Sequence, residues 1–423
     1  LLSLSSALQD IHRKIVGSHL QRLLTYWNQK IDHWSDRMFM TCLSFLFKRR
    51  NTSRQQAITN FGDIPGMEYM IIYSYKELSS ATEDFSPGNK IGEGGFGSVY
   101  KGKLKDGRVV AIKVLSSKSK QGVREFLNEI KVVSSIAHEN LVRLYGCCVE
   151  GDNRILVYDY LENNSLAHTL LGGGHSNIQF SWETRSRICI GVARGLAFLH
   201  EEVRPRIVHR DIKASNVLLD SHLTPKISDF GLAKLLPPNT THVSTRIAGT
   251  IGYLAPEYAI HGQLTRRADT YSFGVLLLEI VTGRCNTNTR LPCEDQFLLE
   301  RTWGLYERGE VLSIVDASLG DDFDAEEACR FIKIALVCTQ DAPRLRPSMP
   351  AVVRMLRGES NVSMEITKPG LITDLMDLKV RRQRDAGEPD ASPVVFTTLH
   401  GSPSSSSGNA TAIMSSSTAA ELA

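Results

Sequence analysis

A segment at residues 207–220, IVHRDIKASNVLLD, places ionic and amide side chains between two apolar ends. Apolar ends favour burial, whereas charged groups resist burial unless they are paired or used in chemistry. The polar middle consists of His209, Arg210, Asp211, Lys213 and Asn216. So many polar groups between two core anchors indicate a loop that is fixed to the core in order to present them.

A second acidic residue follows close behind this loop. Asp229 lies thirteen residues after Asn216, at the end of a short apolar run in KISDFGLAK. A carboxylate and an amide oxygen are hard ligands that suit Mg²⁺, which also retains waters and phosphate oxygens. The spacing is short enough for Asp229 and Asn216 to share a metal ion.

Lys113 interrupts an otherwise apolar strand, VAIKVL. A buried lysine needs anionic partners, and a phosphate together with a carboxylate would supply them. The next helical segment offers two acids. Glu129 precedes Ile130 and is predicted to turn inward, whereas Glu125 is predicted to face solvent. The alternative is an exposed ion pair, worth less than about 1 kcal/mol.

The stretch GEGGFGSV at 92–99 fits the pattern G-x-G-x-x-G-x-V. A Rossmann unit uses the same glycines, but the residues after Gly97 continue as a strand and VAIK follows, where a helix would be expected. No Gly-Lys-Ser/Thr follows either, which excludes a Walker A loop. The pattern therefore predicts a glycine-rich hairpin whose backbone N–H groups cover phosphates.

The elements that must position these residues fall into two groups. Alternating β-branched runs, with Asp106-Gly107 as a hairpin turn, predict an antiparallel sheet up to about residue 161. One helix interrupts it, with Val123, Phe126, Leu127 and Ile130 at helical spacing. Beyond about residue 165 the pattern becomes helical. We therefore expect an α+β fold with a ligand cleft between a small β-rich lobe and a larger helical lobe.

Composition excludes several other classes. The 423 residues are 42% apolar, which is enough for a substantial core, and the net charge of +3 gives no nucleic-acid footprint. The eight cysteines contain no C-x-x-C pair, so neither a disulfide framework nor a zinc site is indicated. Reduced thiols of a cytoplasmic protein are the expectation.

Together these motifs resemble the protein kinases. The glycine loop, VAIK ending at Lys113, H-R-D-x-K-x-x-N at 209–216, D-F-G at 229–231 and A-P-E at 255–257 occur in the family's order. The flanking YKELSSATEDF and THVSTRIAGTIGYLAPEYA are similar to plant receptor-like kinases, in particular their cytoplasmic branch. The resemblance implies a kinase domain at 85–358, with an N-lobe at 85–161 and a C-lobe at 162–358. Residues 1–84 are then expected to be an extension that is mostly linker or disordered chain, and 359–423 a Ser-rich disordered tail.

The resemblance also implies roles for individual residues. Lys113 would hold ATP phosphates and pair with Glu129, and Asp211 would accept the proton of the substrate hydroxyl. Mg²⁺, with Mn²⁺ as an alternative, would bind Asp229 and Asn216. The residues implied to contact ATP are Ile91, Gly92, Glu93, Gly94, Gly95, Phe96, Gly97, Ser98, Val99, Ala111, Lys113, Asp159, Leu161 and Leu218. Tyr158 falls at the gatekeeper position.

Two features imply serine/threonine specificity and a phosphorylation switch. Lys213, two residues after Asp211, and Thr250 in GTIGY resemble the serine/threonine kinase pattern. Arg210 precedes the catalytic Asp211, as in kinases switched by phosphorylation of the activation segment. The candidate regulatory hydroxyls are Thr240, Thr241, Ser244, Thr245 and Thr250, and the hypothesis favours Ser244 or Thr245. The alternative is that they are ordinary polar loop residues.

Structural anchors are implied as well. Asp269 would hold the backbone of the catalytic loop, and Glu257 of A-P-E would pair with Arg346. Thr270 stands where the family more often has Val or Ile.

Two functions from different classes remain for such a chain. The first is an active ATP-dependent serine/threonine kinase, and the second is a pseudokinase scaffold that binds partners without phosphoryl transfer. Intact Lys113, Asp211, Asn216 and Asp229 favour the first. Small-molecule phosphotransfer is disfavoured because the long activation segment and A-P-E suit peptide docking. Protein substrates and an upstream receptor kinase are the implied partners, and no nucleic acid is expected.

The N-terminal residues suggest membrane attachment. The chain opens on Leu1, and Met40 is a candidate initiator. Cys42 could carry a palmitoyl group while Lys48–Arg50 rests on anionic lipid. The apolar stretch Met38–Phe47 is too short to span a bilayer. The predicted location is the cytoplasm, with the inner face of the plasma membrane as the site of attachment, and the alternative is a poorly ordered tail.

Overall fold

The computed structural model describes residues 70–94, 97–115, 120–134, 136–172, 178–238, 240–292, 295–362 and 365–370. The small lobe is built on a six-stranded sheet with the order β1-β5-β6-β4-β3-β2. Its strands are β1 Ile71–Ile72, β2 Lys90–Gly94, β3 Gly97–Lys103, β4 Val109–Leu115, β5 Leu144–Glu150 and β6 Asn153–Asp159. β3 is antiparallel to β2 and β4, and β4 is antiparallel to β6, as the hairpin pattern predicts.

Side chains along β4 point alternately to the two faces of the sheet, and this alternation determines which of them face the predicted cleft. Val110 and Ile112 are fully buried in the core of the lobe, with Ile155 and Val157 of β6. Because successive residues of a strand point to opposite faces, Lys113 lies on the other face from Ile112. The apolar face thus holds the strand in place, and the other face presents the lysine.

The small lobe includes residues upstream of the predicted boundary at 85. Strand β1 pairs in parallel with β5, and helix α1, Tyr75–Ala81, begins with a capping box between Ser74 and Glu77. Leu78 of this helix is fully buried in the same core as Ile112. The extension predicted to be mostly linker therefore contains, at 70–84, a strand and a helix that pack on this lobe. A two-residue strand and a seven-residue helix are too short to give a clear periodic signal.

Helix α2, Lys120–Val133, packs Phe126 and Ile130 into the lobe as its periodicity predicts. Glu125 was expected to face solvent but is 3% exposed. A Cβ placed on Gly231 would lie 3.2 Å from Cγ of Glu125. The turn that contains Gly231 therefore covers this face of the helix, which the sequence of the helix alone does not reveal.

The large lobe is helical and is centred on a helix that is buried on all sides, α6. Its helices are α3 Leu166–Thr169, α4 Trp182–Ala197, α5 Pro256–His261, α6 Arg266–Thr282, α7 Leu298–Glu307, α8 Ala325–Cys338 and α9 Met349–Leu356, with a π-helical stretch Phe198–Glu202 after α4. Short strands carry the loops of the site: β7 Arg206–Val208, β8 Val217–Leu219, β9 Pro225–Ile227, β10 Lys234–Leu236, β11 Val243–Ser244 and β12 Gln263–Leu264. Short 3-10 turns are Pro87–Asn89, Ala214–Asn216, Phe230–Leu232, Val311–Ile314, Ala317–Leu319 and Pro343–Leu345.

Part of the predicted C-terminal tail also packs on this lobe. The hydroxyl of Tyr271 in α6 donates to the carbonyl oxygen of Gly370 at 2.7 Å, and the Gly370 N–H donates to Thr339 at 3.2 Å. Thr367 donates to the side chain of Gln340 at 2.8 Å. Residues 365–370, which the prediction placed in the tail, therefore pack on this lobe. Two of these three hydrogen bonds use backbone groups of Gly370, which leave no trace in the side-chain pattern.

Some predictions concern residues that the structure does not describe. Gly95 and Phe96 of the glycine loop, Met40, Cys42, Lys48–Arg50 and the Ser-rich stretch 402–418 lie outside the described residues. Within the described part of the chain, no helix combines the length and the apolar character that crossing a membrane requires.

Candidate active site

Helix α6 fixes the loop at 207–220 through Asp269. Its carboxylate accepts the backbone N–H groups of His209 at 2.7 Å and of Arg210 at 2.9 Å, and it lies 2.9 Å from Nε2 of His200. Burial disfavours the charged carboxylate, but the hydrogen bond and charge of His200 lower the pKa of Asp269. Arg210 adopts a left-handed backbone with a φ of 74°. The fixed N–H groups hold the loop in this conformation, as predicted for Asp269.

The apolar ends of the loop occupy strands. Ile207 and Val208 lie in β7, and Val217 and Leu219 lie in β8; all four are buried. The charged middle is thereby carried on two strands of the large lobe.

Three residues converge on Asp211. Thr250 donates its hydroxyl to Oδ1 of Asp211 at 2.7 Å, and Nζ of Lys213 lies 2.8 Å from Oγ1 of Thr250 and 2.9 Å from Oδ2 of Asp211. Asn216 donates from Nδ2 to the carbonyl oxygen and to Oδ2 of Asp211, at 2.9 and 3.0 Å. Asp211 thus faces a hydroxyl group on one oxygen and an ammonium and an amide on the other.

Thr250 does not lie with the other candidate regulatory hydroxyls. It is 2% exposed and bonded to Asp211, whereas Thr240, Thr241 and Ser244 are exposed. Gly249 before it has a φ of 128°, and a Cβ there would lie 2.7 Å from the carbonyl oxygen of Arg210. This close approach places Thr250 against the loop that carries Asp211, whereas the exposed candidates have no such contact with Asp211 among the described hydrogen bonds.

Lys113 forms the second charged cluster. Its Nζ donates to Oε1 of Glu129 at 2.6 Å and to Oδ1 of Asp229 at 2.9 Å, and Tyr158 donates its hydroxyl to Glu129. Burial opposes the charged ammonium, but Asp229 and Glu129 together raise the pKa of Lys113. Burial raises the pKa of Glu129 to about 7, and the charge of Asp229 adds to this rise. Asp229 differs, because Lys113 outweighs burial and lowers its pKa.

The segment at Asp229 is tied to Asn216. Ser228 donates its N–H and its hydroxyl to the carbonyl oxygen of Asn216, at 2.9 and 3.0 Å. Asp229 has a left-handed φ of 66°, and the ring of Phe230 packs edge-on against His209 with centroids 4.8 Å apart. The two predicted metal ligands therefore lie on neighbouring, bonded segments.

The predicted nucleotide residues that the structure describes lie on strands of the sheet, on the link between the lobes and on β8. Ile91, Gly92, Glu93 and Gly94 lie in β2, Gly97, Ser98 and Val99 in β3, Ala111 in β4, Asp159 at the end of β6, Leu161 just after it and Leu218 in β8. Val99 pairs with Lys113 and Ala111 pairs with Tyr158. Gly97 has a φ of 146°, and a Cβ there would lie 2.0 Å from the carbonyl oxygen of Val114. The hairpin thus requires glycine at this position.

Arg210 is directed at the activation segment. Its guanidinium donates to the carbonyl oxygens of Leu232 at 3.0 Å and Arg246 at 2.7 Å, and Nε donates to the hydroxyl of Tyr258 at 3.0 Å. Ser244 lies in β11, which pairs with β12, and the Thr245 N–H donates to a backbone carbonyl at 3.0 Å. Arg210 therefore contacts the segment that carries the candidate phosphorylation sites.

Sequence reasoning missed a hydrogen-bonded group under the loop at 249–253. Tyr253 donates its hydroxyl to the carboxylate of Glu279, with 2.8 Å to each oxygen, and the N–H of Asn286 donates to Oε1 of Glu279 at 2.8 Å. Burial raises the pKa of Glu279 to about 8. An acidic residue in the middle of the otherwise apolar run LLLEIV was the available signal.

Comparison with known proteins agrees with this geometry. The family model described as the protein kinase domain matches residues 85–355. Cold-responsive protein kinase 1 of Arabidopsis thaliana is 67% identical over 331 residues, which covers 78% of this chain and 85% of that protein. A probable leucine-rich-repeat receptor-like serine/threonine-protein kinase of the same plant is 56% identical over 71% of this chain, and another is 54% identical over 76%. This chain spans only 29% and 31% of those two receptor-like proteins.

These matches and the intact catalytic cluster favour an active enzyme over a scaffold without phosphoryl transfer. The chain belongs to the protein kinase family and is an ATP-dependent serine/threonine protein kinase.

Proposed function

We propose that Asp211 orients the hydroxyl of a protein serine or threonine and takes its proton as the phosphoryl group is transferred. The observation that carries this proposal is the hydrogen bond from the Thr250 hydroxyl to Oδ1 of Asp211. In this contact the carboxylate oxygen accepts a hydrogen bond from an alcohol, which is the interaction that the proposal requires with a substrate hydroxyl. Catalysis of phosphoryl transfer depends mainly on positioning and electrostatic stabilisation, which a fixed carboxylate of this kind supplies.

The charged groups of the site fit ATP and a divalent metal ion, which the protein kinase family uses. Asp229 and Asn216 offer a carboxylate and an amide oxygen, the hard ligands that Mg²⁺ prefers, with Mn²⁺ as an alternative. Lys113 carries a cation beside them, 2.9 Å from Asp229. Bound metal would neutralise charge on the phosphates. We propose Asp229 and Asn216 as its ligands and Lys113 as a phosphate contact.

Each remaining residue then has a defined task. Glu129 and Asp229 both hold Lys113, and Lys213 places a second ammonium beside Asp211. Asn216 holds Asp211 through two hydrogen bonds. Two cations on the phosphate side and one carboxylate on the hydroxyl side are the arrangement that transfer of a phosphoryl anion to an alcohol requires.

The first experiment measures phosphate transfer from radiolabelled ATP to casein and to the chain itself. We expect Asp211→Asn to abolish both, because the amide cannot accept the proton. The matched control is Asp321→Asn, which makes the same change at an exposed position of the large lobe and should retain full activity. Loss of signal in the control, or transfer by Asp211→Asn at the parent rate, would refute the assignment.

We also propose that phosphorylation of Ser244 or Thr245 switches the enzyme on. Arg210 donates to two carbonyl oxygens and one hydroxyl, all neutral acceptors, near these residues. A phosphate would offer a charged, bidentate acceptor, which forms stronger hydrogen bonds with a guanidinium. Phosphopeptide mapping of the active enzyme should find at least one of Thr240, Thr241, Ser244 and Thr245 modified. An active enzyme without any of these phosphates would contradict the switch.

Protein substrates follow from the kinase domain. The narrower proposals are an upstream receptor kinase and attachment to the cytoplasmic face of the plasma membrane through Cys42 and Lys48–Arg50. Fractionation of a Cys42→Ser variant tests the attachment. We expect it to move from the membrane fraction to the soluble fraction, and unchanged association would exclude acylation of Cys42 as the anchor.

A further inference from the structure

The turn that follows Asp229 exposes several backbone carbonyls to their surroundings. The 3-10 helix Phe230–Leu232 is closed by one hydrogen bond, from the N–H of Ala233 to the carbonyl of Phe230 at 3.0 Å. A turn this short cannot satisfy its other carbonyls internally. Arg210, from the catalytic loop, takes the carbonyl of Leu232 at 3.0 Å.

The remaining carbonyls are held from the small lobe by one side chain. The amide nitrogen Nδ2 of Asn128 lies 3.0 Å from the carbonyl oxygen of Phe230, 3.0 Å from that of Gly231 and 2.7 Å from that of Ala233. Of the four successive carbonyls at 230–233, Arg210 of the large lobe therefore contacts one and Asn128 of the small lobe contacts the other three. The amide nitrogen carries two hydrogens, so one of them is shared between two of the three carbonyl oxygens.

Asn128 also has a defined relation to the ion pair of the site. It directly precedes Glu129 on helix α2, and adjacent residues of an α-helix point about 100° apart. One side chain therefore reaches the turn while the next reaches Lys113. A rotation or shift of helix α2 cannot break one contact without straining the other.

The fit between helix and turn leaves little room. A Cβ on Gly231 would lie 3.2 Å from Cγ of Glu125 and 3.4 Å from Oε1 of Glu129. The backbone of the turn therefore packs directly on the helix, next to the carboxylate that binds Lys113.

We propose that Asn128 is a positioning residue that couples the turn after Asp229 to the placement of Glu129 on Lys113. It does not contact the reacting groups itself. This inference rests on the roles proposed above for Lys113, Glu129 and Asp229. Its consequence is that the ion pair in the small lobe and the carboxylate at Asp229 form or separate together.

The sharpest variant is Asn128→Asp, which has almost the same shape. It replaces the donor with a carboxylate oxygen that faces three carbonyl oxygens, so attraction becomes repulsion. Asn128→Ala only removes the hydrogen bonds. The matched control is Lys131→Gln on the exposed face of the same helix, because it changes the net charge by the same amount and in the same direction.

We expect Asn128→Asp to lower kcat/KM for ATP by about tenfold or more and Asn128→Ala by about fivefold. The thermal midpoint of both should stay within about 3 °C of the parent, and Lys131→Gln should behave as the parent in both measurements. Activity of Asn128→Asp within twofold of the parent would overturn the proposal. So would a loss of activity that follows a loss of folded protein at the assay temperature.

A double-mutant cycle separates positioning from a general structural effect. If Asn128 acts through Glu129, then Asn128→Asp should cause little further loss in a Glu129→Gln background. If each substitution instead lowers kcat/KM by the same factor with or without the other, the coupling is overturned, but the role of Glu129 stands. A Glu129→Gln variant as active as the parent would instead refute the proposed role of the Lys113 pair, and the coupling with it.

Discussion

Two buried ion pairs in this kinase use the same chemistry in different ways. In the large lobe, the guanidinium of Arg346 donates to both carboxylate oxygens of Glu257 at 2.8 Å. Its other donors reach the backbone carbonyls of Gln340 at 2.6 Å, Arg267 at 3.1 Å and Asp341 at 2.8 Å. These five hydrogen bonds use all five N–H donors of an arginine, and the Arg346 side chain is 0% exposed.

The pair in the small lobe is more open. Among the described residues, Lys113 donates to Glu129 and Asp229, and an ammonium has three donors. The side chains of Lys113 and Asp229 remain 15% and 29% exposed. A satisfied pair with no exposed donor can only hold structure, whereas a pair with an exposed side can also receive a ligand. The number of donors in use, rather than burial alone, therefore distinguishes an anchor from a site.

The largest effect should come from breaking the closed pair. Arg346→Ala leaves Glu257 without its cation and removes three further backbone contacts, so the free energy of unfolding should fall by about 3–5 kcal/mol. Urea unfolding measures this change. The control is Arg308→Ala, whose pair with Glu310 is 59% exposed on both sides and should be worth at most about 1 kcal/mol. Equal losses in the two variants would show that Arg346 is not an anchor.

Breaking the open pair should affect catalysis rather than folding. Lys113→Met removes the proposed phosphate contact, and kcat/KM should fall by a factor on the order of 10²–10³. Stability should change less than in Arg346→Ala, because a proton can neutralise Glu129, whose pKa is raised to about 7 by burial. Kinase assays and urea unfolding of the same preparation test both points. A loss of stability as large as that of Arg346→Ala would contradict the distinction.

The open pair should also respond to pH. The pKa of Glu129 is raised from its ordinary value of 4.5 to about 7, so between these values the folded chain binds the proton more tightly than the unfolded chain. Its contribution to stability is full below pH 4.5 and is lost as the pH rises through about 7. Activity should change in the opposite direction, because only the ionised carboxylate holds Lys113 as an ion pair.

We therefore expect kcat/KM for ATP to rise between about pH 6 and 8 while the thermal midpoint falls. Glu129→Gln should flatten both trends, because the amide does not titrate. If the variant keeps the slopes of the parent, then another group is responsible for them.

The sequence was sufficient for whatever depends on residue type at fixed spacing. Lys113, Asp211, Asn216 and Asp229 were recognised from motifs, and their positions on strands and loops followed from periodicity. The pairing of Arg346 with Glu257 was also predicted from the resemblance. In each case the chemistry of one side chain or one pair constrains the residue type strongly.

Contacts between distant segments were harder to predict. Glu125 was assigned to solvent because nothing in its own helix shows that the turn at Gly231 covers it. Thr250 was grouped with the regulatory hydroxyls because its residue type does not show that it is buried. Its burial follows from the close approach of Gly249 to Arg210, which depends on backbone geometry. The contacts of Asn128 were not predicted because its partners are backbone carbonyl oxygens, which every residue possesses.

The smallest effect should arise at the edge of the closed pair. Tyr271 lies under the guanidinium of Arg346, 5.0 Å from it, and donates its hydroxyl to Gly370. A Cβ on Gly370 would lie 2.6 Å from Oδ1 of Asp341 and 2.7 Å from Cγ of Pro256, so Gly370→Ala should destabilise the fold by about 1–3 kcal/mol. Gly304→Ala is the matched control within helix α7, where added helix propensity should raise stability by about 0.5–1 kcal/mol. If urea unfolding shows that Gly370→Ala lowers and Gly304→Ala raises the free energy of unfolding, then residues 365–370 belong to the anchor around Arg346. A stabilising Gly370→Ala would show that the anchor includes only Arg346 and its direct partners.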